Sequence, residues 1–122
     1  MTSRSATIKV LNSLLFIKDE RASDRPQIDG LSAVWSTASC LAVSCLPDCD
    51  GATAVTIGNA QEVGPKGSPL FDGQLRTPSR NVIVETVLGE KILASVVPHR
   101  DTRVRIWTNG RRDTDRVIVG LG

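Results

Sequence analysis

The chain has no tyrosine, only two phenylalanines and two tryptophans, and a single histidine among its 122 residues. So few aromatics leave little for stacking on bases, and single-stranded nucleic-acid binders rely on successive aromatic platforms. One histidine, His99, argues against a histidine-built metalloenzyme, which needs several imidazoles around one ion. No Gly-x-Ser-x-Gly nucleophile elbow occurs. The one lysine in a glycine-rich stretch, Lys66, follows a proline and lacks the order of a phosphate-binding loop. No apolar run approaches the roughly 18 residues of a membrane span. The N-terminal stretch "MTSRSATIKVLNSLLFIKDE" is apolar only in patches, which Lys9, Asn12 and Lys18 interrupt or flank. No small-residue cleavage site follows it, so it does not read as a signal peptide. The expectation is a cytoplasmic protein whose thiols stay reduced.

What is present is ordinary in amount and uneven in placement. The length suits one domain, residues 1–122, with a single core. Net charge is +2, with 40% hydrophobic and 23% charged residues. From Asp72 onward, nine Lys/Arg face six Asp/Glu; before it, six face seven. The downstream excess is nearly all arginine. A net charge this small does not by itself argue for nucleic acid.

Period-two alternation dominates. "ATIKVL" (6–11) suits a strand. "NSLLFIKD" puts Leu15 and Ile17 on one side and Leu14 and Phe16 on the other. The charged stretch 20–30 carries Pro26 and Gly30 and reads as a loop. "LSAVWSTASCLAVSCLP" (31–47) lacks a polar helical face, so it reads as two strands, near 32–35 and 39–46. "DCDG" is a turn, "ATAVTIG" (52–58) a short strand, and "GNAQEVGPKGSP" a long surface loop with no helix following it. Loops longer than a hairpin needs are candidate contact loops. "NVIVETV" and "EKILASVV" form a hairpin around Leu88–Glu90. "RVRIWT" places Val104 and Ile106 on one face and Arg103, Arg105 and Trp107 on the other. "RVIVGLG" ends the chain with Val117, Val119 and Leu121 together. About seven to nine short strands at spacings of about 8–12 residues predict an all-β fold, an antiparallel β-sandwich or small barrel.

The stretch from Phe71 to Thr108 adds a second line of reasoning. A strand leads into "TPSRNVIVET", then "ILASVVPHRDTRVRIWT", where a proline-bounded loop precedes a Val/Arg-alternating strand with a Trp-Thr end. This resembles the competence-protein-J-like family, small β-sandwich proteins that include an inhibitor of a DNA-entry nuclease. The resemblance implies a sandwich fold and a protein-binding role. It transfers no site residue.

Three groups of residues invite a functional reading. Cys40, Cys45 and Cys49 are spaced C-x4-C-x3-C, whereas structural zinc sites pair ligands as C-x2-C. On a strand, Cys40 and Cys45 point to opposite faces, so both read as small buried hydrophobes. Cys49 lies between Asp48 and Asp50, whose charges work against an activated thiolate. His99, in the "VVPHRD" loop, has Asp101 nearby but no identified nucleophile. The third group is the arginine–tryptophan face: Arg103, Arg105 and Trp107 on one strand, with Arg111 and Arg112 in the loop beyond. Arginine and tryptophan are the types most enriched at interface hot spots. The plainer account of this face is solvated arginines whose stems cover Trp107, or which pair with Glu85 or Glu90, both expected to be solvated.

The sequence therefore predicts a non-catalytic binding module that recognises a protein partner, an acidic one if the arginines make the contact, as an inhibitor or accessory protein. No cofactor and no metal is expected, and nucleic acid is disfavoured. A small hydrolase using His99 is one alternative. A homo-oligomer pairing through the strand Val117–Leu121 is another.

Overall fold

The computed structural model describes residues 3–30, 32–110 and 113–122. Its ten strands are β1 (Arg4–Ile8), β2 (Leu14–Asp19), β3 (Val34–Ser36), β4 (Cys40–Ser44), β5 (Thr53–Asn59), β6 (Phe71–Arg76), β7 (Asn81–Thr86), β8 (Lys91–Val96), β9 (Asp101–Thr108) and β10 (Arg116–Leu121). One four-residue helix, α1 (Ala60–Val63), follows β5. The strands form two five-stranded sheets, in the orders β1-β5-β10-β9-β6 and β3-β4-β2-β7-β8. The fold is an all-β sandwich, as expected, with ten strands instead of seven to nine.

The core lies between the sheets and follows the alternation of the sequence. Val55, Ile57, Val104, Ile106, Val117, Val119 and Leu121 face inward from the first sheet. Leu15, Ile17, Leu41, Val43, Val82 and Val84 meet them from the second. All of these are almost fully removed from water. Burying a side chain of this size contributes about 1.5–3 kcal/mol. Leu14 and Phe16 turn to the opposite face, where Phe16 packs with Cys40 and Ala42.

Four expectations are corrected. The sheets are not purely antiparallel, because β10 runs parallel to β5 with Val117 opposite Val55. A parallel pair needs a long crossover, and here more than fifty residues of chain, from α1 to the start of β10, supply it. As a result β10 is an interior strand, hydrogen-bonded to β5 on one side and β9 on the other. It therefore offers no free edge for pairing between subunits. The stretch after β5 is not all loop. Asn59 caps α1 by accepting from the Gln61 backbone N–H at 2.9 Å, as asparagine does at helix starts. The first strand begins and ends earlier than the alternation implies, because Leu11–Ser13 form a 3-10 turn with Asn12 at φ 55°.

The fourth correction concerns Glu85, which is buried and not solvated. Its carboxylate lies 3.3 Å from Lys18 Nζ and 3.3 Å from an Arg25 guanidinium nitrogen. Lys18 also donates to the Ala22 carbonyl at 2.6 Å. Arg25 stacks 4.9 Å above the Phe16 ring. Asp24 accepts from the hydroxyls of Thr37 and Ser39, and those bonds hold its carboxyl below the usual range. The charged loop after β2 is thus strapped across the outer face of the second sheet. A lone buried carboxylate is costly, and two cations with a shared carbonyl offset that cost.

Candidate functional site

Strand β9 turns alternate side chains in and out, so Arg103, Arg105 and Trp107 leave the core together while Val104 and Ile106 enter it. The three share the outer face of the first sheet, but not one environment. Arg103 is exposed and bidentate on Asp72 of β6. Its Nε donates to Oδ1 at 2.9 Å and its Nη2 to Oδ2 at 2.7 Å. The hydrogen bonds from Arg103 hold the Asp72 carboxyl below its ordinary value. The arginine partner is therefore Asp72 on the neighbouring strand. Glu85 and Glu90 belong to the hairpin of the second sheet.

Arg105 is half-buried. Its Nη2 donates to the Gly122 carbonyl at 2.8 Å, and its guanidinium lies 5.8 Å from the Trp107 ring centroid. Trp107 is only 8% exposed. Arginine stems alone do not cover it, as the sequence had implied: α1 and the residues after it lie over the indole. Ala60, Trp107, Ile118 and Val63 form a small apolar cluster on this outer face. The indole N–H donates to the Gly67 carbonyl at 3.3 Å. Close approach here needs two glycines. A Cβ on Gly120 would sit 2.8 Å from the indole, and one on Gly64 also 2.8 Å from it. Arg111 and Arg112 lie outside the described residues.

Beside Trp107 the surface opens into a trough. One hollow, of about 340 Å³, is lined by Pro65, Lys66, Ser68, Trp107, Thr108, Asn109, Arg116 and Ile118. A second, of about 300 Å³, shares Ser68, Trp107 and Thr108 with it and adds Pro69, Leu70 and Gly110. Lys66 and Arg116 were not singled out from the sequence as binding residues. Parity carried part of the signal: Arg116 shares the outward phase of Ile118, and Ile118 is the residue paired with Trp107. The placement of Lys66 depends on α1, which no periodicity announced.

The other groups carry less. His99 is exposed in the loop between β8 and β9. Its backbone carbonyl accepts from Thr77 Oγ1 at 2.8 Å. A hollow of about 190 Å³ beside it is lined in part by Asn59, Pro98, Asp101 and Arg103, with no serine or cysteine. Thr102, the one hydroxyl there, is buried and bonded to Thr77 at 2.9 Å. No nucleophile–base pair is assembled in this hollow. Cys40 packs on the outer face of the second sheet and Cys45 in the main core, the opposite placement that strand parity predicts. Burial pushes the Cys40 thiol up to about 11 and the Cys45 thiol up to about 12. Cys49 is exposed in a 3-10 turn with Asp48 and Asp50. Among the described residues, no three His, Cys, Asp or Glu side chains converge as a metal site would need. Among the described residues, no helix is long and apolar enough to cross a membrane.

No protein-family model matches the chain, and no curated protein matches it in sequence. Among solved structures it is similar to the crystal structure of ComJ, inhibitor of the DNA degrading activity of NucA, from Bacillus subtilis. The TM-score is 0.64 over 98% of this chain and 96% of that one. The chain has the ComJ fold. Sequence identity to ComJ is 10%, so the two share an architecture rather than a visible set of residues. The likeness seen between Phe71 and Thr108 in the sequence extends, in structure, across both sheets.

Proposed function

We propose that this chain is a non-catalytic binding module that inhibits or assists a protein partner through the outer face of its first sheet. The observation that carries this reading is the preparation of that face. Arg103 is held by Asp72, Trp107 is clamped by α1 and the Gly67 carbonyl, and Arg105 is held by the Gly122 carbonyl beside the indole. Side chains already fixed lose less entropy on binding, which favours a surface built for contact. The ComJ fold supports an inhibitor in particular, since ComJ is an inhibitor of a DNA-degrading protein. The dispersed placement of His99 and the three cysteines supports binding over catalysis.

The test is inhibition. The purified chain is titrated into a nuclease of the NucA type while DNA degradation is followed, and co-elution is measured by gel filtration. Wild type should slow degradation and co-elute, and the Arg103→Glu/Arg105→Glu double variant should lose both. Full nuclease activity in molar excess of the wild-type chain, with no co-elution, would sink the nuclease-inhibitor reading.

A further inference from the structure

We propose that the trough beside Trp107 is a receptor for an acidic, partly apolar segment of a partner protein, with a carboxylate anchored between Lys66 and Arg116. This deepens the reading of the first sheet's outer face as a protein-binding surface and rests on it.

The argument is one of charges left over. On this face Arg103 is neutralised by Asp72, and Arg105 is engaged by the Gly122 carbonyl and the indole. Lys66 and Arg116 line one hollow and form no ion pair with the other described residues. The neighbouring carboxylate, Asp115, accepts a hydrogen bond from the Asn109 side-chain amide and forms no ion pair among the described residues. The hydroxyl of Thr108 is likewise committed, to the Gly110 carbonyl. Two cations lining one hollow suit an anion, and a carboxylate offers both a charge-assisted bond.

The position of Lys66 is not left to a free loop. The next residue, Gly67, adopts φ +109°, open to glycine, and its carbonyl is fixed by the Trp107 N–H. Arg116 opens β10, whose backbone is paired on both sides. Both cations are therefore carried on fixed backbone.

The second hollow sets the rest of the ligand. It shares Ser68, Trp107 and Thr108 with the first, and Pro69 and Leu70 give it an apolar wall. An extended segment advances about 3.3 Å per residue, so an acidic residue in the first hollow places a near neighbour in the second. A protein segment fits better than nucleic acid here. Trp107 is too covered to serve as a stacking platform, and the apolar wall gives a phosphate nothing.

The probe is an acetylated, amidated peptide, Gly-Glu-Leu-Glu-Leu-Gly, followed by nitrogen-15 NMR on the full chain. The Trp107 indole signal should shift together with Thr108 and Asn109, while the Trp35 indole on the other sheet stays still. Lys66→Glu and Arg116→Glu should each weaken binding by about tenfold or more, as expected for loss of a charge-assisted bond. The dispersion of each variant's spectrum shows whether it is folded. Replacing both leucines by serine should weaken binding without abolishing it. A peptide that leaves the Trp107 signal unmoved at millimolar concentration overturns the proposal. So does binding that both charge reversals leave intact. A six-residue oligothymidylate that shifts the same signals as strongly as the peptide overturns it in favour of a phosphate ligand. Peptide binding without nuclease inhibition would leave the trough standing and reject the nuclease as the partner.

Discussion

Arg103 and Arg105 stand two residues apart on one strand, yet one is matched by a carboxylate in water and the other is wedged against an indole. The difference comes from neighbours that the local sequence does not contain. The cysteines show the same dependence. Cys40 and Cys45 are enclosed by apolar side chains, which disfavours the thiolate and raises both thiols from an ordinary value of 9.0 to about 11 and about 12. The folded state therefore holds these protons more tightly than the unfolded chain. Their contribution to stability is full below about pH 9 and is lost as pH rises through the window between 9.0 and about 12. Native protein at pH 8 should react quickly with a thiol reagent at one site, Cys49. The other two should react only on the timescale of unfolding. Fast release of two equivalents would show that one of the buried thiols is accessible, and of three that both are.

At the scale of elements, the key event is the seating of α1 on the outside of the first sheet. Four residues are too few to form a stable helix alone, so α1 depends on its Asn59 cap and on contact with Trp107. Gly120 makes that contact possible, because β10 has no side chain where the helix and indole meet. A Cβ there would lie 2.8 Å from Trp107, 2.9 Å from the Ala60 Cβ and 3.0 Å from its Cα. Gly120→Ala should cost about 1–3 kcal/mol, the usual penalty of overpacking. It should also change the near-ultraviolet circular dichroism of the tryptophans and lower affinity for the acidic peptide. Unchanged stability and spectrum would mean that the helix is free to shift at no cost.

Across the whole molecule the two outer faces are finished differently. The second sheet is closed by the loop after β2, tied down through Glu85, Lys18, Arg25 and Asp24. The first sheet keeps an open trough with two cations that form no ion pair among the described residues. The faces are separated by the core, so they should respond independently. Glu85→Ala leaves Lys18 buried without its carboxylate, and breaking such a pair typically costs about 3–5 kcal/mol. Urea unfolding should show a loss of that order, while peptide affinity at the Trp107 trough, measured on the folded fraction, stays within about twofold. A large loss of peptide affinity in this variant would reveal coupling between the faces.

The alternation of Leu15, Ile17, Val104, Ile106, Val117 and Val119 was enough to predict an all-β sandwich or small barrel and to sort the side chains of these strands by face. That information is local: a period of two sorts side chains by face whatever the strand pairs with. The same parity placed Arg103, Arg105 and Trp107 on one surface and set Cys40 apart from Cys45. Which strands lie side by side was not written locally. The interior position of β10, the pairing of Arg103 with Asp72 instead of the glutamates, and the burial of Glu85 all join residues distant in sequence. The trough is of this kind too. Lys66 and Arg116 stand fifty residues apart and line one hollow only because a short helix, itself stable only against Trp107, folds back over the first sheet.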